Sequence, residues 1–377
     1  MKTYICLFAV LLIPLVLVGQ EDLLISKLQF EGDFRFRIEQ DWNSRMSDGI
    51  FRDDRTRLRY RLRTGVSYAG SWYHTGFRIR TGNPAKQQDP QLTLGEGFKE
   101  FGTLPIGIEK AYFQAHWNDW EFWAGKNTFP FRKTNELFWS DNVFPEGVFA
   151  LKKFGFEGAT IDYLDLRAGH FILSANGTTL AQDSYFQGIQ SLIAISNERF
   201  KLYPAIYVFK NVPDIPDGNQ NFILDYTILH IGASLLLHKE TSFTLELDYY
   251  NNILDYSNYI GIPQELKDQQ AGLVVGVNYG ALEHKGDFVL KATYAYLERF
   301  SAVDFMAQND WARWDYSSNG SPDGRLTNYK GLELVGGFKI DKKVNLKLKY
   351  YLVEQLIPYG IAKENGERIR LDIDVKF

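Results

Sequence analysis

Apolar and polar side chains alternate with a period of two in segment after segment of this chain. That pattern limits the fold more than any other feature, because only an extended strand sends successive side chains to opposite faces. Between Leu28 and Glu39 one parity holds Leu28, Phe30, Gly32, Phe34, Phe36 and Ile38, and the other Gln29, Glu31, Asp33, Arg35, Arg37 and Glu39. Between Arg55 and Tyr68, Leu58, Tyr60, Leu62, Val66 and Tyr68 oppose Arg55, Arg57, Arg59, Arg61, Arg63 and Ser67. Residues 243–250 and 344–351 alternate in the same way, and the last ten residues set Ile369, Leu371, Ile373, Val375 and Phe377 against Arg368, Arg370, Asp372, Asp374 and Lys376. Extended to their turn residues, such segments reach the ~9–11 residues that a tilted strand needs to cross a bilayer.

The connections add a second constraint. Sixteen strands are predicted near 27–40, 55–69, 71–81, 107–117, 119–126, 155–163, 165–174, 186–195, 198–209, 223–238, 241–252, 270–280, 285–299, 328–340, 343–355 and 366–377, within a range of 14 to 18 because 155–195 alternates poorly. Every second connection is then short, as at Ala69-Gly70-Ser71, Asn118-Asp119, Leu164, Asn197-Glu198, Lys239-Glu240, 281–285 and Asp341-Lys342, while the others are long and rich in Gly, Pro and Asn. The predicted fold class is an all-β, transmembrane, antiparallel up-and-down β-barrel with short periplasmic turns and long extracellular loops.

Residues 1–20 place Lys2 before an apolar run from Ile5 to Val18, which reads as a cleaved signal peptide and leaves 21–377 as a single barrel domain. The one cysteine, Cys6, leaves with that signal. Removing Lys2 leaves 41 basic against 46 acidic residues, a mature charge of -5 that argues against a nucleic-acid binder. Nothing past the N-terminus approaches the ~20 consecutive apolar residues of a spanning helix. The 28 Phe, 22 Tyr and 8 Trp exceed what the turns and loops use, and several cluster where strands approach short turns (Tyr68, Trp72, Tyr73, Trp117, Trp120, Tyr163, Phe200, Tyr203). Rings of this kind favour the edges of a bilayer.

If the apolar parity faces lipid, the polar parity lines a lumen. Arg35, Arg37, Arg55, Arg57, Arg59, Arg61, Arg63, Arg78 and Arg80 then share one inward wall, with Glu31, Asp33 and Glu39 as the nearest acids. Two readings stay open: a charge-paired wall that keeps the lumen wet, and a ladder that also guides anions through the forked donors of arginine. The third long loop, 126–155, carries Phe129, Pro130, Phe131, Phe138 and Trp139 beside Glu136, Asp141 and Glu146. So many large apolar groups are unusual on an exposed loop, so it is expected to fold into the barrel and narrow it; if Asp141 and Glu146 face the arginine wall, the constriction carries a transverse field.

The segments GDFRFRIE at 32–39, DDRTRLRYRLRTGV at 53–66, IEKAYFQAHW at 108–117, WAGKNTFPF at 123–131, FWSDNVFPEGVF at 138–149 and TNYKGLELVGGFKIDKKVNLKLKYY at 327–351 resemble the putative porins of Gram-negative outer membranes of the Bacteroidetes type. A more distant similarity is to alginate-export barrels. The resemblance implies an outer-membrane location, a pore wall from Arg55 to Arg63 and a loop segment with Asp141, Glu146 and Gly147. The chain lacks the N-terminal coiled coil of some members. The terminal Phe377 resembles the signal read by the barrel-assembly machinery, and outer-membrane lipid and lipopolysaccharide are the expected surroundings.

No HExxH, nucleophile elbow, Walker motif or GxGxxG occurs, and the stretch Asp217, Asn219 and Asn221 departs from a calcium loop at Phe222 and Ile228. The expectation is a porin without enzymatic activity, cofactor or metal, passing small polar and chiefly anionic solutes by diffusion. The alternatives are an exporter or binder of an acidic polysaccharide and an outer-membrane lipid hydrolase. A homotrimer stays open, since a lipid-facing aromatic patch equally suits a subunit contact.

Overall fold

Sixteen antiparallel strands close on themselves in the computed structural model, which describes residues 27–377 apart from 86, 89, 96–101, 157–159, 176–177, 214–222, 261 and 312–325. The predicted signal at 1–20 and the stretch from Asp217 to Asn221 lie outside the described residues. The strands are β1 (Leu28–Arg45), β2 (Arg55–Ala69), β3 (Tyr73–Thr81), β4 (Ile106–Trp117), β5 (Trp120–Lys126), β6 (Glu146–Gly155), β7 (Ile161–Ser174) and β8 (Ser184–Ile195). They continue with β9 (Phe200–Pro213), β10 (Ile223–His238), β11 (Phe243–Asn252), β12 (Ala271–Gly280), β13 (Phe288–Leu297), β14 (Tyr329–Asp341), β15 (Val344–Gln355) and β16 (Asn365–Lys376). Leu92 and Thr93 form a two-residue bridge to β2 from within the second loop. Among the described residues no helix is long and apolar enough to cross a membrane.

Each strand pairs with its sequence neighbours, and β1 pairs with both β2 and β16, so no sheet edge is left open. At the seam, Gly32 and Phe377 exchange both backbone hydrogen bonds at 3.1 Å. The Phe377 ring fills the space that a side chain at residue 32 would need, its Cε2 lying 2.2 Å from where a Cβ would stand. The last strand is thus fixed to the first by backbone and ring together.

The period-two pattern sorts the faces as expected on β1–β3. Leu58, Leu62, Phe34, Ile38 and Phe77 are exposed on the outer surface, whereas Arg59, Arg61, Arg63, Arg37 and Arg80 are buried inside. At the short-turn end Trp72, Tyr73 and Phe113 pack as one outer group, and Trp120 stacks on Phe122. Tyr203 departs from this pattern: it points inward and is fully buried.

The sixteen-strand count holds, but two strands are placed differently. Residues 146–155 form β6 rather than the end of the third loop, and 161–174 run as one strand through Leu164, where a turn was expected. The reason is physical. Along β6–β10 the inward residues, among them Phe149, Phe171, Phe186, Tyr207, Phe209 and Tyr226, are themselves apolar and buried, while Val148, Leu166 and Ile189 are exposed outside. With both faces apolar, the alternation that marks a strand disappears.

Candidate functional site

The interior has two unlike halves. One is a charged wall on β1–β4 and β16; the other is aromatic and is covered by the connection 127–145. Each follows from how sequence meets register.

Along β1 the inward positions run Glu31, Asp33, Arg35, Arg37, Glu39, Asp41, while β16 presents Arg368, Arg370, Asp372, Asp374 and Lys376 antiparallel to it. The register sets Asp33 opposite Lys376, Arg35 opposite Asp374, Arg37 opposite Asp372, Glu39 opposite Arg370 and Asp41 opposite Arg368. Each is a pair of opposite charge. Arg37 grips Asp372 with two bonds, Nε to Oδ1 at 2.6 Å and Nη2 to Oδ2 at 2.8 Å, the forked geometry that makes arginine suited to carboxylates. Arg35 holds Asp374 likewise at 2.5 and 3.1 Å.

On the other side, β2 supplies only arginines. Glu39 is therefore held between Arg370 Nε at 2.5 Å and Arg57, and Asp41 between Arg368 Nε at 2.6 Å and Arg55 Nη2 at 3.0 Å. Arg61 pairs with Asp33. Glu109 on β4 takes Arg63 Nη2 at 2.8 Å and Arg78 Nε at 2.6 Å. Arg59 donates to the Gln91 carbonyl at 3.1 Å and Arg80 to the Thr81 carbonyl at 2.8 Å, so the second loop is tied to the wall. All nine arginines singled out in the sequence lie on this one wall. Arg368 and Arg370 belong with them, and the alternation of the final strand was the signal that carried them.

The connection 127–145 supplies much of the other half. Phe129 stacks on Trp139 with centroids 4.5 Å apart, and Phe138 lies between Tyr250 at 4.8 Å and Tyr207 at 4.9 Å. Phe131 meets Phe149, Phe171, Phe186 and Tyr207 edge-on. Each buried ring of this size contributes about 1.5–3 kcal/mol through lost apolar hydration. The polar anchor is Asp248 on β11. Its Oδ2 accepts from Thr134 Oγ1 and Asn135 Nδ2, each at 2.6 Å, and its Oδ1 lies 2.8 Å from His230 Nε2. No sequence motif linked His230 to an acid eighteen residues away.

Gly188 on β8 leaves room for Phe131, whose Cζ would lie 2.5 Å from a Cβ at that position. Five rings surround Phe131, the four named above and Phe129 at 5.3 Å, so it cannot step aside cheaply. Gly188→Val is expected to weaken attachment of the connection by about 1–3 kcal/mol, the usual cost of overpacking. Limited proteolysis should then cleave within 127–145 faster than in the parent, and an unchanged rate would show that the ring adapts.

Other loops join this connection. Ser140 N–H donates to the Met306 carbonyl at 2.8 Å, Gln308 N–H to the Glu136 carbonyl at 3.0 Å, and Phe144 N–H to Gln87 Oε1 at 2.7 Å. Below them lies a cavity of about 350 Å³ lined by Lys133, Glu136, Lys291, Glu333, Lys347 and Lys349 among others. Burial, with Asp141 nearby, pushes the Glu136 carboxyl above its ordinary value.

The loop acids do not face the arginine wall. Glu146 opens β6 and is paired with Lys126, its side chain 62% exposed, because residue 146 has the outward parity of that strand. Asp141 is paired with Lys133 and is similarly exposed. From this loop Asn142 does reach the ladder, its Oδ1 accepting from Arg63 Nη2 at 2.9 Å, and the Phe144 ring lies under the Arg78 guanidinium at 5.3 Å. Among the described residues no group of three or more His, Cys, Asp or Glu is arranged to hold a metal ion.

Comparison with known proteins agrees with this architecture. Residues 50–225 match the profile of a family described as "Putative porin". Among solved structures, OprB of Pseudomonas putida is similar at a TM-score of 0.57 and 13% identity, over 95% of this chain and 96% of that one. A mutant porin of Rh. blastica aligns at a TM-score of 0.50 and 13% identity over 93% of this chain and 100% of that one. A triple mutant of the Rhodopseudomonas blastica porin gives a TM-score of 0.50 at 12% identity with the same coverage. No curated protein matches the chain. The fold is that of the bacterial porins.

Proposed function

We propose that this chain is an outer-membrane diffusion channel that admits small polar solutes and favours anions. The observation that carries the reading is the concentration of arginines on one interior wall. Among the described residues, the eleven guanidiniums of Arg35, Arg37, Arg55, Arg57, Arg59, Arg61, Arg63, Arg78, Arg80, Arg368 and Arg370 share this wall with the carboxylates of Glu31, Asp33, Glu39, Asp41, Glu109, Asp310, Asp372 and Asp374. The pairing holds the wall together, and the concentration of guanidiniums on one side of the interior sets the sign of the field that a passing ion meets. Bonds and field have different tasks, so the two readings of the ladder are complementary.

The connection 127–145 narrows the passage, and the cavity beside Lys291, Lys347 and Lys349 continues it. The driving force is the solute gradient, and selection rests on size and charge. Export of a polysaccharide would use the same wall but needs an unobstructed bore, which the inward packing of 127–145 and of 303–311 disfavours.

Reconstitution in planar bilayers tests the channel, and absence of conductance steps from folded protein would overturn it. For selectivity, combined Arg57→Gln, Arg59→Gln and Arg61→Gln substitutions remove three positive charges. In a tenfold salt gradient the reversal potential is expected to move toward the cation side by roughly 10 mV or more, from a field of several kT at such walls. An unmoved potential would make the ladder purely structural.

A further inference from the structure

One carboxylate at the charged wall differs from the rest in where it comes from. Glu31, Asp33, Glu39 and Asp41 stand on β1, Glu109 on β4, and Asp372 and Asp374 on β16. Among the described residues that pair with the ladder, Asp310 comes from a loop, the connection 298–328. Its Oδ1 lies 2.5 Å from Arg370 Nη1 and 3.9 Å from Arg37 Nη1. Oδ2 accepts from Gln308 Nε2 at 3.2 Å, and the backbone carbonyl of Asp310 accepts from Arg368 Nη1 at 2.5 Å.

These arginines are already held by the wall. Arg37 has Asp372, Arg370 has Glu39 through Nε, and Arg368 has Asp41 through Nε. The wall therefore fixes the guanidiniums and leaves their Nη1 ends directed at a further acceptor. Pre-positioned forks that lose little freedom on binding make a carboxylate site. Arg370 and Arg37 hold the Asp310 carboxyl well below the usual carboxylate range, so it stays charged through mildly acidic conditions.

We propose that Arg37 and Arg370 form a binding site for carboxylate-bearing solutes, and that Asp310 occupies it from the chain's own loop in competition with them. The inference rests on the reading that anionic solutes enter this lumen. A tethered group competes at an effective concentration on the order of millimolar, so a free carboxylate displaces it only when abundant. Displacement frees the segment beside Asp310. Trp311 reports on this, since it is buried against Tyr329 and Tyr351, both with centroids at 5.9 Å.

The test uses the full chain in detergent micelles with succinate as probe and succinamide as its uncharged counterpart. Asp310→Asn removes the internal competitor and is expected to bind succinate at least tenfold tighter than the parent. Asp310→Glu keeps a carboxylate on the tether and is expected to retain the parent's weak affinity, while Asp310→Asn with Arg370→Gln is expected to lose binding. In the parent, succinate but not succinamide should red-shift the tryptophan emission, and Trp311→Phe should abolish that shift. Affinities within twofold across parent, Asp310→Asn and Asp310→Glu would overturn the proposal, as would undiminished binding after Arg370→Gln. Bilayer recordings keep this separate from the channel reading: conductance with unchanged succinate affinity sinks the site alone, whereas the predicted affinities without conductance sink the channel alone.

Discussion

Trp139→Ala is expected to loosen the connection 127–145 by about 3–5 kcal/mol, the range for truncating a fully buried aromatic side chain. Trp139 is 1% exposed, stacks on Phe129 at 4.5 Å and lies 5.1 Å from Phe186 on β8. Its indole N–H also donates to the Val143 carbonyl at 2.8 Å. None of these contacts belongs to the ladder between strands, so the cost falls on the loop and the barrel stays closed. The substitution should therefore leave the strand signal in circular dichroism unchanged while single-channel conductance rises severalfold and proteolysis within 127–145 accelerates. A parent-like conductance with accelerated proteolysis would mean that the connection does not limit the passage. A parent-like rate of both would mean that the remaining rings hold the loop without Trp139.

The second large effect concerns Glu39→Gln. Glu39 is fully buried and is shared by Arg370 and Arg57 from opposite flanking strands. Removing the charge leaves Arg57 with a neutral acceptor and Arg370 with Asp310 as its remaining carboxylate, and breaking such a buried pair typically costs about 3–5 kcal/mol. The denaturant midpoint should fall accordingly. Arg57→Gln in the same chain should recover part of the loss, since the guanidinium deprived of its carboxylate goes with it; a strictly additive double mutant would show that the two groups do not interact. Such a cycle separates the wall's structural task from any effect on ion selectivity, because it is read without a bilayer.

The alternation on β1, β2 and β16 was legible because those strands face lipid on one side and charge on the other. From Arg55 to Arg63 the sequence itself shows which residues share the inner wall. The same logic fails at β6 and β7, where Phe149 and Phe171 face inward as Val148 and Leu166 face outward. A strand between lipid and an aromatic loop carries no polar parity to read. Tyr203 was expected at the membrane edge, yet it lies flat inside across Gly232, its ring 1.9 Å from where a Cβ would stand there. A glycine's vacancy is invisible until the neighbouring strand's register is known. The loop acids were undecided for a related reason: charge alone allowed Asp141 and Glu146 to face the arginines, whereas Lys133 and Lys126 stand closer to them. Asp310 had no local signal at all, since its partners are about sixty and more than two hundred and seventy residues away in sequence.

The charge order along the closing seam has one more consequence. Sliding β16 along β1 by a single residue would turn its apolar side chains into the lumen and is penalised by hydration. Sliding it by two residues keeps every side chain on its proper face, so the hydrophobic pattern cannot detect the error. Charge can. In the native register all five facing pairs from Asp33 to Asp41 are of opposite sign. A shift of two in one direction sets Arg37 against Arg370 and Asp33 against Asp374, and in the other it sets Glu39 against Asp372 and Arg35 against Lys376. The seam therefore acts as a proofreading device for assembly: the last strand to join a parity-blind sheet is admitted in the one alignment where signs, as well as faces, agree.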